Sequence, residues 1–246
     1  MSTERTSVES RAAVYAALGD PARLAVVDAL AVGDRSPGEL GSQLGLPSNL
    51  LAHHLRLLEQ VGLIDRARSE ADRRRTYVRL VPSALPGTVV SGLTARRVVF
   101  VCTHNSARSQ LASALWAERS TLPVASAGTR PAQRVHRRAV AVARRHGLTL
   151  DGAKTADVAD LLRPDDLVVA VCDSAYEELG PAADRLHWSV PDPVRVDTAA
   201  AFERAYEEIE ERVDRLVGAV EGNDAGRSQW PRPTSGRVWG RISSTH

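Results

Sequence analysis

The chain has 246 residues and a mass of 26.5 kDa, enough for one large domain or two modest ones. A hydrophobic share of 43% with 25% charged residues describes an ordinary soluble globular protein able to bury a core. A net charge of +2 is too small to argue nucleic-acid binding from the total, and 2 cysteines exclude the disulfide framework of a small secreted protein.

The first residues, Met1 to Arg11, hold no apolar segment of signal-peptide type, and no run approaches the length of a membrane span. The expected location is the cytoplasm, with no membrane partner. Helical punctuation then becomes dense. Asp20-Pro21 reads as an N-cap and first helical residue, followed by Leu24, Val27 and Leu30 on one face, with Gly33 as the stop. Ser36 to Glu39 spells a capping box before Leu40 and Leu44, and Gly45 closes that short helix. Pro47-Ser48 opens another, with Leu51, Leu55 and Leu58 at helical spacing and Gly62 beyond its end. Two short helices joined by a tight Gly-containing turn make a helix-turn-helix. A charged hairpin follows: Asp65 to Arg68, a turn around Glu70, Ala71 and Asp72, and a return strand from Thr76 to Leu80.

In this reading the second helix turns Ser48, Asn49, Ala52, His53 and Arg56 away from its Leu face, toward base edges or phosphates of a major groove. Arg73, Arg74 and Arg75 sit where a wing meets a DNA backbone; the plainer alternative is a solvated charged hairpin. His53 and His54 are adjacent and so do not share a helix face, which argues against a metal pair; His54 is expected to pack or cap locally.

The run from Leu18 to Arg23, the stretch Leu50 to Leu58 and the segment Gly62 to Ile64 resemble the ArsR-type winged-helix repressors. That resemblance implies a homodimer on a palindromic operator DNA, released on sensing a metal or metalloid. Many members sense through a Cys pair near the first helix of the motif, and Ser36 to Leu44 holds no Cys. We therefore assign residues 1–86 to a winged-helix domain and 87–94, after a segment rich in Pro, Gly and Ser, to a linker.

From residue 95 to 222 strand and helix alternate, which predicts an α/β domain with a parallel sheet. Strands are expected at Arg97–Cys102, Leu122–Ser126, Leu167–Val171 and Leu186–Val190, and helices at Ala107–Arg119, Val135–His146, Ala156–Leu162 and Ala199–Val220. The fold class is thus two domains, a mainly α winged helix followed by an α/β parallel sheet. Within the second domain, Cys102 ends an apolar strand, Thr103, His104, Asn105, Ser106 and Ala107 form a polar loop, and Arg108-Ser109 opens a helix. Amides of such a loop converge on a tetrahedral oxyanion, and the helix end favours a thiolate at Cys102. Arg108 supplies a planar fork for two oxyanion oxygens, and Ser109 can donate to the sulfur.

The stretch Val98 to Gln110 resembles the phosphate loop of low-molecular-weight protein tyrosine phosphatases, a fold shared with thiol-dependent arsenate reductases; Ser106 and Gln110 lie closer to the reductase branch. His104 replaces the usual Gly and Ala107 a common second loop Cys. The resemblance implies that Asp192, in Asp192-Pro193, is the general acid to the leaving oxygen, and that Cys172 is the second catalytic thiol. A third Cys is missing, because position 179 is Leu. It also implies a potassium site from Asn105, Ser126, Thr155 and Asp157. No tightly bound cofactor is expected. An external thiol donor (thioredoxin-like, mycoredoxin-like or a small thiol) is.

Residues 223–246 lack periodicity and are expected to be a disordered tail. The leading expectation is a DNA-binding regulator fused to an arsenate reductase acting in an arsenic response. The alternatives are a phosphatase on the same regulator, acting on phosphate esters, and a non-catalytic oxyanion or redox sensor.

Overall fold

The computed structural model describes residues 2–81, 92–180, 182 and 185–222. Most of the expected linker and the whole of the expected tail lie outside them. The first domain opens with α1 (Ser2–Leu18), α2 (Pro21–Leu30), α3 (Pro37–Leu44) and α4 (Ser48–Gln60), followed by the wing strands β1 (Ile64–Arg68) and β2 (Thr76–Leu80). Capping chemistry sets the helix starts: Asp20 accepts from the Arg23 N–H, and Ser36 and Glu39 close a reciprocal capping box. Gly45 ends α3 at φ 64°, a left-handed position that a side chain would strain. The wing strands pair antiparallel with Ile64 opposite Leu80 and Arg68 opposite Thr76.

Val27 and Leu30 are buried as expected, but Leu24 is 44% exposed and Val26 takes its place in the core. Leu40, Leu51, Leu55, Leu58 and Leu63 complete that core with Val78 from the wing. α1 went unread in the sequence, because its apolar positions show no helical period and Ala17 is the one buried residue among 8–18.

The second domain begins with β3 (Leu93–Ala95), paired in parallel with β8 (Val220–Gly222), so Leu93 and Thr94 belong to this domain and not to a linker. β4 (Arg97–Cys102), α5 (Arg108–Arg119), β5 (Val124–Gly128), α6 (Arg137–Arg145), α7 (Val158–Leu161), β6 (Asp166–Ala170), α8 (Asp173–Leu179), β7 (Arg185–His187), α9 (Pro193–Val196) and α10 (Ala199–Ala219) follow. The main sheet is parallel, in the order β5-β4-β6-β7. β4 is central and fully buried from Val98 onward, with Phe100 packed between Trp116 and Trp188. The chain leaves β4 first toward β5 and later returns on the other side through β6, so the topological switch lies at the carboxyl ends of β4 and β6, where ligands bind in such sheets.

Two strands are displaced from their expected positions. β5 starts two residues late, because Leu122 turns its carbonyl to the Trp116 indole N–H. β7 stops at His187 because the other domain takes over the backbone: the Asp34 N–H donates to the His187 carbonyl at 2.7 Å, and the Ser189 N–H donates to Asp34 Oδ2 at 2.7 Å.

The domains share a built interface. Tyr77 of β2 is buried against Tyr176 and His187, with ring centroids 6.2 and 4.3 Å away. Asp34 pairs with Arg212 of α10 at 2.9 Å, both nearly dry. The Trp188 indole donates to the Val32 carbonyl, and the Ser69 and Tyr77 hydroxyls both reach Glu177 Oε1. No described helix is long and apolar enough to cross a membrane.

Candidate active site

The loop after β4 is held from behind. The carbonyl oxygens of Cys102, Thr103, His104 and Ser106 accept from the backbone N–H groups of Thr129, Arg130, Ala132 and His136. With its carbonyls turned outward, the loop presents amides inward, and the Asn105 N–H points at Cys102 Sγ from 3.1 Å. Gly128 makes this fit possible, since a Cβ there would stand 2.8 Å from the Thr103 carbonyl oxygen. Asn105 adopts φ 48°, uncommon for a residue with a side chain. Its side chain fixes it there: Nδ2 donates to Ser109 Oγ at 2.8 Å, while Oδ1 accepts from the Ala156 N–H and from Gln110 Nε2.

The proton directions follow. Ser109 Oγ already accepts from Asn105, so its own hydrogen is free for Cys102 Sγ, 3.1 Å away. The sulfur therefore faces two hydrogen-bond donors. Arg108 is buried and anchored, Nη1 donating to the Val190 carbonyl and Nη2 lying 3.3 Å from Asp192 Oδ1. Burial opposes its charge, but Cys172, Cys102, Asp192 and Glu70 outweigh that and raise its pKa. Asp192 also caps α9 through Oδ1. Both of these contacts use one oxygen, which leaves Oδ2 available to carry a proton.

Cys172 lies just past β6, one register step beyond the strand partner of Cys102, since Val101 pairs with Ala170. Adjacent strands run about 5 Å apart, so both thiols share one end of the switch. Both are free and buried. Burial pushes the Cys172 thiol up; Arg108 pulls it down and Cys102 pushes it up again. Thr103 Oγ1 is 3.6 Å from its sulfur.

The structure thus brings together Cys102, the loop from Thr103 to Ala107, Arg108, Ser109, Cys172 and Asp192. A cavity of about 220 Å³ is lined by Thr103, Arg108, Cys172 and Asp192 of this set, with His104, Arg130, Ser174 and Arg195 also on its wall. Its lining carries no Phe, Tyr or Trp. Sequence reasoning missed Glu70, which lies on that wall although it belongs to the wing. No local signal could have found it, because 122 residues separate Glu70 from Asp192. Gln110, which braces Asn105 through two contacts, was legible only as part of the loop motif.

Of the four residues expected at a potassium ion, Asn105 Oδ1 accepts two N–H donors, Thr155 Oγ1 donates to the Ala132 carbonyl, and Asp157 Oδ1 caps α7. Asn105 thereby braces the loop.

In the first domain, Ser48, Asn49, Ala52, His53 and Arg56 form an exposed face of α4, while His54 is buried beside Asp20. Arg73, Arg74 and Arg75 are exposed in the wing turn, with Arg74 bound to Asp72. The wing is also the part of this domain that meets the enzyme cavity.

Comparison with known proteins matches residues 97–225 to the low molecular weight phosphotyrosine protein phosphatase family and residues 18–67 to a helix-turn-helix domain. An arsenate reductase of Bacillus licheniformis is 32% identical over 138 residues, 51% of this chain and 97% of that protein. One from Bacillus cereus is 33% identical over 129 residues, 49% of this chain and 93% of its own. The crystal structure of an Archaeoglobus fulgidus arsenate reductase is 34% identical with a TM-score of 0.44, covering 49% of this chain and 98% of that one. With its Cys102–Arg108 loop and a family match over more than half its length, the chain belongs to the low molecular weight phosphotyrosine protein phosphatase family and is an enzyme of it, joined to an N-terminal helix-turn-helix domain.

Proposed function

We propose that the protein is a DNA-binding regulator whose second domain reduces arsenate to arsenite. The observation that carries this reading is the pairing of Cys102, poised between two donors, with a second buried thiol, Cys172, at the same end of the sheet. A phosphatase needs one thiol; a reductase needs two electrons, and two thiols supply them.

In this mechanism the Cys102 thiolate attacks arsenic, with Arg108 and the loop amides holding the equatorial oxygens. Asp192 Oδ2 gives its proton to the departing oxygen, which leaves as water. Cys172 then attacks Cys102 Sγ, its proton passing to an oxygen of the departing arsenite. The S–As bond breaks, its electron pair stays on arsenic, and arsenic(V) becomes arsenic(III) as arsenite departs. The product is a Cys102–Cys172 disulfide, which an external thiol returns to two thiols. The lining, polar and without Phe, Tyr or Trp, suits a small inorganic oxyanion better than a tyrosine ester.

For the first domain the proposal is operator binding through the exposed face of α4, in a homodimer, within an arsenic response. Val8 and Tyr15, seven residues apart on α1 and each 61% exposed, support a helix that packs on a second copy.

The test is a paired assay on the protein and its Cys102→Ser and Cys172→Ser variants, with arsenate plus thiol donors in one arm and p-nitrophenyl phosphate in the other. Cys102→Ser is expected to lower arsenite release on the order of 10³-fold or more. Cys172→Ser is expected to stop turnover while leaving Cys102 able to bind the oxyanion. Phosphatase turnover without arsenite release would assign the protein to the phosphatase reading; silence in both arms with anion binding retained would leave a sensor.

A further inference from the structure

The cavity lined by Arg108, Cys172 and Asp192 is not built by the enzyme domain alone. Glu70, at the tip of the wing between β1 and β2, lines it together with Arg108, Arg130, Arg195 and Asp192. Glu70 Oε2 accepts from the Asp192 N–H at 3.0 Å, and the Glu70 N–H donates to Asp173 Oδ2 at 2.7 Å. Asp173 is in turn held by His187 Nε2 at 2.9 Å. The turn behind is fixed as well: the Ala71 and Asp72 N–H groups donate to Ser69 Oγ, whose own hydrogen goes to Glu177. The backbone of the tip is thus pinned independently of the Glu70 side chain.

We propose that Glu70 is a positioning and selectivity residue of the catalytic site, supplied by the helix-turn-helix domain. Two consequences follow from its placement. As an acceptor for the Asp192 N–H, its carboxylate holds the segment that carries the general acid. As a negative charge on the wall of an arginine-lined cavity, it opposes the entry of anions, and more strongly for a dianion than for a monoanion. The pocket therefore trades affinity for a correctly placed Asp192. This rests on the reading of Cys102 and Asp192 given above.

Glu70→Gln separates the two roles, because the amide oxygen still accepts from Asp192 while the charge is gone. It is expected to lower KM for arsenate, and the inhibition constant of inorganic phosphate, by about three- to tenfold with kcat within about twofold. That gap is expected to narrow as ionic strength rises toward about 1 M, since the group is exposed and screened. Glu70→Ala removes the acceptor too and is expected to lower kcat by about tenfold, with Glu70→Gln restoring it. A purely structural role would move neither the KM-against-kcat split nor its salt dependence. Equal KM, kcat and inhibition constants in Glu70→Gln and the parent would overturn the selectivity role, and unchanged kcat in Glu70→Ala the positioning role. If the parent turns over neither arsenate nor p-nitrophenyl phosphate, the catalytic reading fails separately. Calorimetric binding of inorganic phosphate to the parent and Glu70→Gln then decides the charge effect, and equal affinity overturns it. Should Glu70→Ala not fold, Glu70→Gln still carries the test.

Discussion

The helix-turn-helix domain has two surfaces that sequence reasoning aimed at DNA, and the fold treats them differently. The face of α4 carrying Asn49, His53 and Arg56 is exposed among the described residues. The wing, by contrast, buries Tyr77 against Tyr176 and His187 and places Glu70 on the wall of the enzyme cavity. One surface is open to a partner; the other is already shared with the second domain. A short basic hairpin can therefore serve as a packing element along one edge while its arginines still face solvent.

The strongest way to break this comparison is to attack the shared side. Asp34→Ala leaves the buried Arg212 guanidinium with Glu208 alone and the Ser189 N–H without its acceptor. The expected loss is about 3–5 kcal/mol in urea unfolding, the range for removing one partner of a buried pair. A loss under about 1 kcal/mol would mean that the domains do not depend on this contact for stability.

The open side is probed next. Arg56→Ala is expected to weaken operator binding by about 10- to 100-fold with no change in unfolding midpoint, as for a side chain that reads DNA from an exposed helix face. Arg74→Ala is expected to cost only a few-fold, evenly across DNA sequences, and to reduce the salt slope by about one unit. Titration of labelled operator at several salt concentrations checks both. A larger loss from Arg74→Ala than from Arg56→Ala would place the wing, not α4, in command of binding.

The smallest effect sharpens the comparison by pH. Burial alone would raise the Asp173 carboxyl, but hydrogen bonds from His187 and the Glu70 N–H hold it below the usual carboxylate range. Burial likewise acts on Glu39, and its bonds from Tyr176 and the Ser36 backbone hold it low. Both groups bridge the domains or support a bridge. Their contribution is present above the ordinary carboxylate range, near pH 4, and is lost as pH falls through the depressed values. Stability is therefore expected to decline on acidification below about pH 4, and less steeply in Asp173→Asn. Equal slopes would remove Asp173 from the interface account.

Much of the site was legible before any coordinates. The spacing from Cys102 to Arg108, between an apolar strand and a helix start, is local chemistry. Local motifs keep their geometry because the intervening loop is only five residues long. The capping box at Ser36 and the Leu face of α4 were readable for the same reason. The shifted end of β7 is not readable locally, since Ser189 answers to Asp34, a partner far away in sequence, whereas the late start of β5 turns on a side-chain contact from Trp116 that periodicity does not encode. Leu24 misled because helical spacing identifies a periodic face but not which neighbour arrives to cover it.

The sequence by itself determined the class of each domain and the candidate nucleophile, because strand, loop and helix propensities with a Cys and an Arg at fixed spacing act over a few residues. Only the tertiary structure decided that β6 lies beside β4 and so brings Cys172 to the sheet end of Cys102, that Asn105 Oδ1 is taken by two N–H donors, and that Glu70 of the wing reaches Asp192. Strand order comes from pairing between segments distant in the chain, and domain packing from the burial of Tyr77, Asp34 and Trp188 against distant partners. No short stretch of chain encodes either.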